Sequence, residues 1–211
     1  MKIKLYLISV LFLFLFSLTT SASSIKLSKD ATISILTCSP GNELYSLFGH
    51  TGIRVIDKAN NLDIVFNYGT FDFQTQGFYF KFAQGLLPYK LACSEFRYFL
   101  PSYKEEKRSV YSQTLNLDSI QKQYLMDLLL KNYEPANREY LYNFLYDNCS
   151  TRVRDIIEKS TGNRITWTAH PSTKSFWNLL DEYLGRAPWT QWGIHTILGS
   201  PATSTATIRE Q

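Results

Sequence analysis

Two hydrophobic periods divide this sequence, and their order limits the fold. Between Thr32 and Leu115 the β-forming residues come in short runs separated by turn signals. TISILT (Thr32 to Thr37), GIRVID (Gly52 to Asp57) and DIVFNY (Asp63 to Tyr68) read as strands. Ser39-Pro40-Gly41-Asn42 marks a turn, and Lys58 to Asn61 is short and polar, as a hairpin loop should be. GFYFKFA (Gly77 to Ala83), rich in β-formers, and Arg108 to Leu115 read as further strands. After Asn116 the period becomes helical. Asp118 to Lys131 sets Ile120, Tyr124, Leu128 and Leu129 on one face, with Asn116 or Asp118 as cap. A second helix is predicted from Cys149 to Lys159. A third runs from Thr173 to Leu184, capped by Ser172 and stopped by Gly185. The sum is an antiparallel sheet with helices segregated from it, an α+β domain.

The fold begins after a leader. Lys2 and Lys4 precede an apolar run from Leu5 to Leu18, and Thr20-Ser21-Ala22 supplies small residues for cleavage, so residues 1–22 read as a secretory signal peptide. No cysteine follows the apolar run directly, so the chain does not read as a lipoprotein itself. Residues 23–198 then form one exported domain, and the small, polar stretch 199–211 reads as a tail or the start of a linker. Removing the leader takes away Lys2 and Lys4 and no acid, so the net charge falls by two from +4. That balance argues against a nucleic-acid partner. No CxxC, HExxH or glycine-rich phosphate loop occurs, so neither a metal nor another cofactor is expected.

The chemistry centres on YDNCSTRVRD. Asn148 is a good helix N-cap and Cys149 falls in the first turn. Cys149, Val153, Ile156 and Ile157 share one face, which points the thiol toward the sheet. A helix N-terminus lowers a thiol pKa from about 8.5 toward neutrality, and Arg152 and Arg154 add positive potential. The base suggested for this thiol is His50, at the mouth of a strand between Gly49 and Gly52. Asn67 on the next strand is placed to orient the imidazole. Spacing alone leaves other assignments open. Cys149 also fits a buried or disulfide-bonded cysteine, His50 a structural histidine, and Asn67 a turn residue. His170 and His195 are alternative bases, and Cys38 an alternative nucleophile. Cys38 could pair with Cys93, which would leave Cys149 free.

LTCSPGNELYSLFGHTGIRV, VFNYGTFDF and YNFLYDNCSTRVRDII resemble the signature blocks of a bacterial envelope family, the N-terminal periplasmic domain of a lipoprotein N-acyltransferase. The resemblance runs from about Ile33 to the C-terminus. Histidine before cysteine also resembles the circularly permuted papain-like (NlpC/P60-like) thiol enzymes. The resemblance implies cysteine-dependent acyl transfer to the N-terminal amine of a lipoprotein, through a thioester on Cys149, with His50 as base; Asn67 as the orienting residue comes from the strand reading alone. Tyr68, Asn148 and Arg152 are the expected substrate contacts. The implied partners are a phospholipid or other acyl-ester donor, a lipoprotein acceptor and the membrane surface. Fuller members of that family continue into membrane-spanning segments. This sequence has none after its leader, which leaves open a shortened chain or a lone soluble member. A cysteine hydrolase of cell-wall peptides and a non-catalytic envelope module are the competing readings.

Overall fold

The computed structural model describes residues 25–166, 173–185 and 187–207. The leader, Ser172 and His170 lie outside them. The strands are β1 (Thr32–Cys38), β2 (His50–Asp57), β3 (Leu62–Thr70), β4 (Pro88–Glu95), β5 (Val110–Thr114) and β6 (Glu139–Leu141). They form one open antiparallel sheet in the order β5-β1-β2-β3-β4-β6. The helices are α1 (Phe78–Ala83), α2 (Phe96–Glu105), α3 (Ser119–Tyr133), α4 (Cys149–Ser160), α5 (Phe176–Leu184) and α6 (Pro188–Leu198). The molecule is an α+β fold.

Both faces of the sheet are covered. On one, Ile33, Ile53, Val55, Phe66 and Leu91 pack against Leu125, Met126 and Leu129 of α3 and Val153, Ile156 and Ile157 of α4. Each of these side chains, buried from water, contributes about 1.5–3 kcal/mol. On the other face Leu36, Cys38 and Val65 pack against Phe99 and Tyr103 of α2. Asp118 caps α3, accepting from Gln121 N–H at 2.8 Å while the Gln121 side chain answers Asp118 N–H at 3.0 Å.

Four expectations are corrected. GFYFKFA holds helix α1, not a strand; it follows Gly77, whose positive φ breaks the extended path. In α3, Ile120 is 82% exposed and Tyr124 44% exposed, and the face against the sheet is Leu125, Met126 and Leu129. α5 starts at Phe176 with Ser175 as its cap. Residues 200–207 are not a loose tail: Ala202 and Ala206 pack on Leu145 and Phe176, and Ala206 N–H donates to the Lys174 carbonyl at 3.1 Å.

The three cysteines are all free. Cys38 and Cys93 cannot pair, because β1 and β4 are three strands apart in the sheet, roughly 14 Å at normal strand spacing. They also face opposite ways: Cys38 packs toward α2, Cys93 toward α3 and α4.

Candidate functional site

The site lies where β2 and β3 outrun their pairing. Register between them begins at Ile53 and Phe66, so His50 and Thr51 stand beyond the β2–β3 ladder. The chain enters β2 through Gly49, at φ +73°, where a Cβ would stand 2.6 Å from the Cys38 carbonyl oxygen. Only glycine can make that turn, and it delivers His50 to the first position of the strand. On β3 the register to β4 shifts between Asn67 and Thr70, around Gly69 at φ +84°.

Helix α4 brings Cys149 to this gap. Asn148 caps it: Oδ1 accepts from the N–H groups of Ser150 and Thr151, each at 2.9 Å, and Thr151 Oγ1 accepts from Asn148 N–H at 2.8 Å. These two helix N–H groups are therefore spent on the cap, and the N–H of Cys149 itself is the one left beside the thiol. A Cβ placed on Gly69 would stand 3.5 Å from Cys149 Cβ, 3.7 Å from Tyr142 Cε2 and 3.9 Å from His50 Cε1. Gly69 is thus the floor on which the three side chains converge.

The thiol of Cys149 is hydrogen-bonded to the His50 imidazole, and Nε2 of His50 is bonded to Asn67 Oδ1. A carboxamide oxygen only accepts, so Nε2 carries the proton and Nδ1 is the lone-pair nitrogen available to the thiol. Burial pushes the Cys149 thiol up. The bond to His50, the charge it carries, the N–H of Thr51 and the Ser150 hydroxyl outweigh burial, and the thiol titrates below its ordinary 9.0. Burial likewise opposes a charged His50. Its bond to Cys149, the thiolate charge and the Asn67 bond win, and the imidazole titrates above its ordinary 6.5. Both shifts favour a thiolate–imidazolium pair.

Tyr142, which sequence reasoning missed, also bonds the Cys149 sulfur; burial drives its phenol up, so it stays a hydroxyl donor. Its only signal in the sequence is its place in YNFLYDNC. Tyr68 and Arg152 lie elsewhere. Tyr68 is buried, with its hydroxyl accepting from Asn132 Nδ2 at 2.7 Å. Arg152 makes a two-pronged pair with Asp147, at 2.6 and 2.7 Å, and lies 3.5 Å over the Tyr140 ring. Both border a cavity of about 490 Å³ alongside α4 that does not include Cys149. Asn148 serves as the helix cap. Arg154 pairs with Asp155 at 2.7 Å. The positive potential expected from the two arginines is largely neutralised, and the thiol is lowered by His50 and its hydrogen-bond donors.

The alternative groups are placed otherwise. Cys38 is buried and bonded to Tyr103, and burial raises its pKa. His195 stacks on Trp177 at 4.8 Å and lies 2.8 Å from Asp181. Among the described residues no cluster of three or more His, Cys, Asp or Glu could hold a metal ion, and no helix is long and apolar enough to cross a membrane.

Fold and site together define an α+β domain with a half-buried cysteine–histidine–asparagine set at one end of its sheet. Residues 22–182 match the model of the Lnb N-terminal periplasmic domain, and the chain belongs to that family, a periplasmic domain of Lnb-type envelope proteins. No curated protein and no solved structure matches the chain.

Proposed function

We propose that the domain is a cysteine-dependent acyltransferase of the bacterial envelope, moving an acyl chain from a lipid ester to the N-terminal amine of a lipoprotein. The observation that carries this reading is the Cys149 thiol bonded to His50, with Asn67 holding the ring's far nitrogen. A histidine on an early strand and a cysteine opening a later helix also agree with a circularly permuted papain-like layout.

The thiolate attacks the donor's ester carbonyl, forming a C–S bond and an oxyanion. The N–H of Cys149 and the Tyr142 hydroxyl are the donors available to this oxygen, each worth roughly 3 kcal/mol in such a role. As the intermediate collapses the ester C–O bond breaks, and the leaving alkoxide takes the proton from His50, giving the lysolipid and a thioester on Cys149. The acceptor's neutral amine then attacks the thioester. Its proton passes to His50, the C–S bond breaks and the thiolate–imidazolium pair returns. Water in place of the amine would give hydrolysis. The periplasmic setting supplies the partners: a phospholipid or acyl-ester donor and a lipoprotein.

The test incubates the protein with donor lipid in the absence of acceptor. An acyl adduct on Cys149, released by neutral hydroxylamine and then consumed on adding a lipoprotein amine, is the expected result. Free fatty acid with no acylated acceptor assigns a hydrolase. No adduct, with full transfer by Cys149→Ser, overturns the mechanism.

A further inference from the structure

His195, one of the bases that the sequence left open, lines a second cavity. A cleft of about 440 Å³ lies between α5 and α6, bordered by Trp177, Pro188, Gln191, Trp192, His195 and Thr196. The imidazole of His195 lies flat on the Trp177 indole, with 4.8 Å between centroids and 11° between planes. Trp192 is 68% exposed, so it brings an open indole to the cleft. Gln191 Nε2 donates to Asp181 Oδ1 at 2.7 Å, which fixes the plane of the amide. His195 Nε2 stands 2.8 Å from the same oxygen but off the hydrogen-bond line, and Trp177 Nε1 has no partner; both nitrogens are buried. An indole nitrogen only donates, so Trp177 lacks an acceptor oxygen. Buried polar atoms left unpaired are costly and few, and two on residues that line one cleft point to a ligand that completes them.

The chemistry of the wall selects that ligand. Helix α6 contains no Asp, Glu, Lys or Arg, and no Lys or Arg lines the cleft, so an anion finds nothing to pair with. The carboxylate of Asp181 is already engaged by Gln191 and His195, so a cation gains little. A pyranose ring has an apolar C–H face and a rim of hydroxyls. The face suits an exposed indole, and the rim suits an amide, an imidazole and an unpaired indole N–H. Helix α6 also lies beyond residues 22–182, the stretch that matches the family.

We propose that the α5–α6 cleft binds a neutral saccharide, with a pyranose ring stacked on Trp192 and its hydroxyls taken by Gln191, His195 and Trp177. The cleft shares no residue with the Cys149 site and needs none of its chemistry.

Titration with chitotriose and with cellotriose, followed through the indole N–H resonances of the four tryptophans, tests it. The Trp177 and Trp192 signals, assigned with Trp177→Phe and Trp192→Phe, should move saturably at roughly millimolar sugar or below. Trp192→Ala should weaken binding roughly tenfold or more, and Gln191→Ala should weaken it too. Trp189→Ala removes an indole that is 85% exposed but does not line the cleft, and should leave binding unchanged. Alkylation of Cys149 at the wild-type rate reports that each variant is folded. A response to chitotriose alone narrows the ligand to N-acetylated sugars, and a response to both sugars supports pyranoses in general. No saturable shift with either sugar overturns the proposal, as does an equal loss in Trp189→Ala. Binding of a decaproline peptide where neither sugar binds also overturns it, and assigns the cleft to polyproline segments.

Discussion

The hydroxyls of Thr51 and Ser150, 99 positions apart in the chain, meet at 3.0 Å. They tie the strand of His50 to the helix of Cys149 at the point where the thiol sits. Ser150→Ala removes the tie and one of the groups that lower the Cys149 pKa. The variant should fold with unfolding free energy reduced by about 0.5–1 kcal/mol. Its alkylation-versus-pH curve should move to higher pH. A curve unchanged from wild type would show that the Ser150 hydroxyl does not act on the thiolate.

The Cys149–His50 pair sets a pH window. With the thiol lowered from 9.0 and the imidazole raised from 6.5, iodoacetamide alkylation should rise at a pH below that of an ordinary thiol. Acyl transfer should then fall again as pH rises through the raised His50 value, because the leaving group loses its proton donor. In His50→Ala, burial of Cys149 is left unopposed by the imidazole. Its alkylation curve should shift upward and transfer should fall on the order of 10²–10⁴-fold. Initial rates across the pH range measure both.

Asn67→Ala should act through His50. The ring loses its hold on Nε2, which weakens the imidazolium at a cost of about 1 kcal/mol, near fivefold in rate. The double variant with His50→Ala should be no slower than His50→Ala alone. Additive losses in that cycle would mean that Asn67 works independently of His50.

Gly69→Ala should be costly at once to fold and site. Its φ of +84° strains any L side chain by about 1–2 kcal/mol; the new methyl itself would make only ordinary contacts with Cys149, Tyr142 and His50, so relief of the strain must move the backbone beside the site. Thermal unfolding should drop by several degrees, with slower alkylation of Cys149. A variant as stable and reactive as wild type would mean that the positive φ at Gly69 is relaxed in solution.

Titration of the denatured, unreduced protein with a thiol reagent should find the three thiols of Cys38, Cys93 and Cys149. Any fewer would require a bridge that the strand order forbids for Cys38 with Cys93.

Where local chemistry dictates structure, the sequence was legible. Alternation and the polar Lys58–Asn61 link gave β1, β2 and β3, and Asn148 gave the start of α4. His50, Asn67 and Cys149 could be named because a turn glycine and a helix cap fix where each side chain begins. Other parts depend on tertiary context. β4 and α2 carry no clean period, and α2 even holds Pro101. Ile120 and Tyr124 have the right helical spacing and the wrong phase, since only the docked sheet decides which face of α3 is inside. Tyr142 lies in an irregular segment, and its bond to the thiol depends on the Gly69 bulge in β3, more than seventy positions earlier.

The groups that acidify Cys149 come largely from across the chain: His50 and Thr51 from β2, with Ser150 beside it on α4. An unfolded chain has none of them in place. In the unfolded chain Cys149 is therefore a thiol like any other, slow toward electrophiles. Its acidity arrives when α4 seats against β2. The chemistry is thus timed by folding itself, and the rate at which Cys149 gains reactivity after dilution from denaturant is a clock for that one docking event.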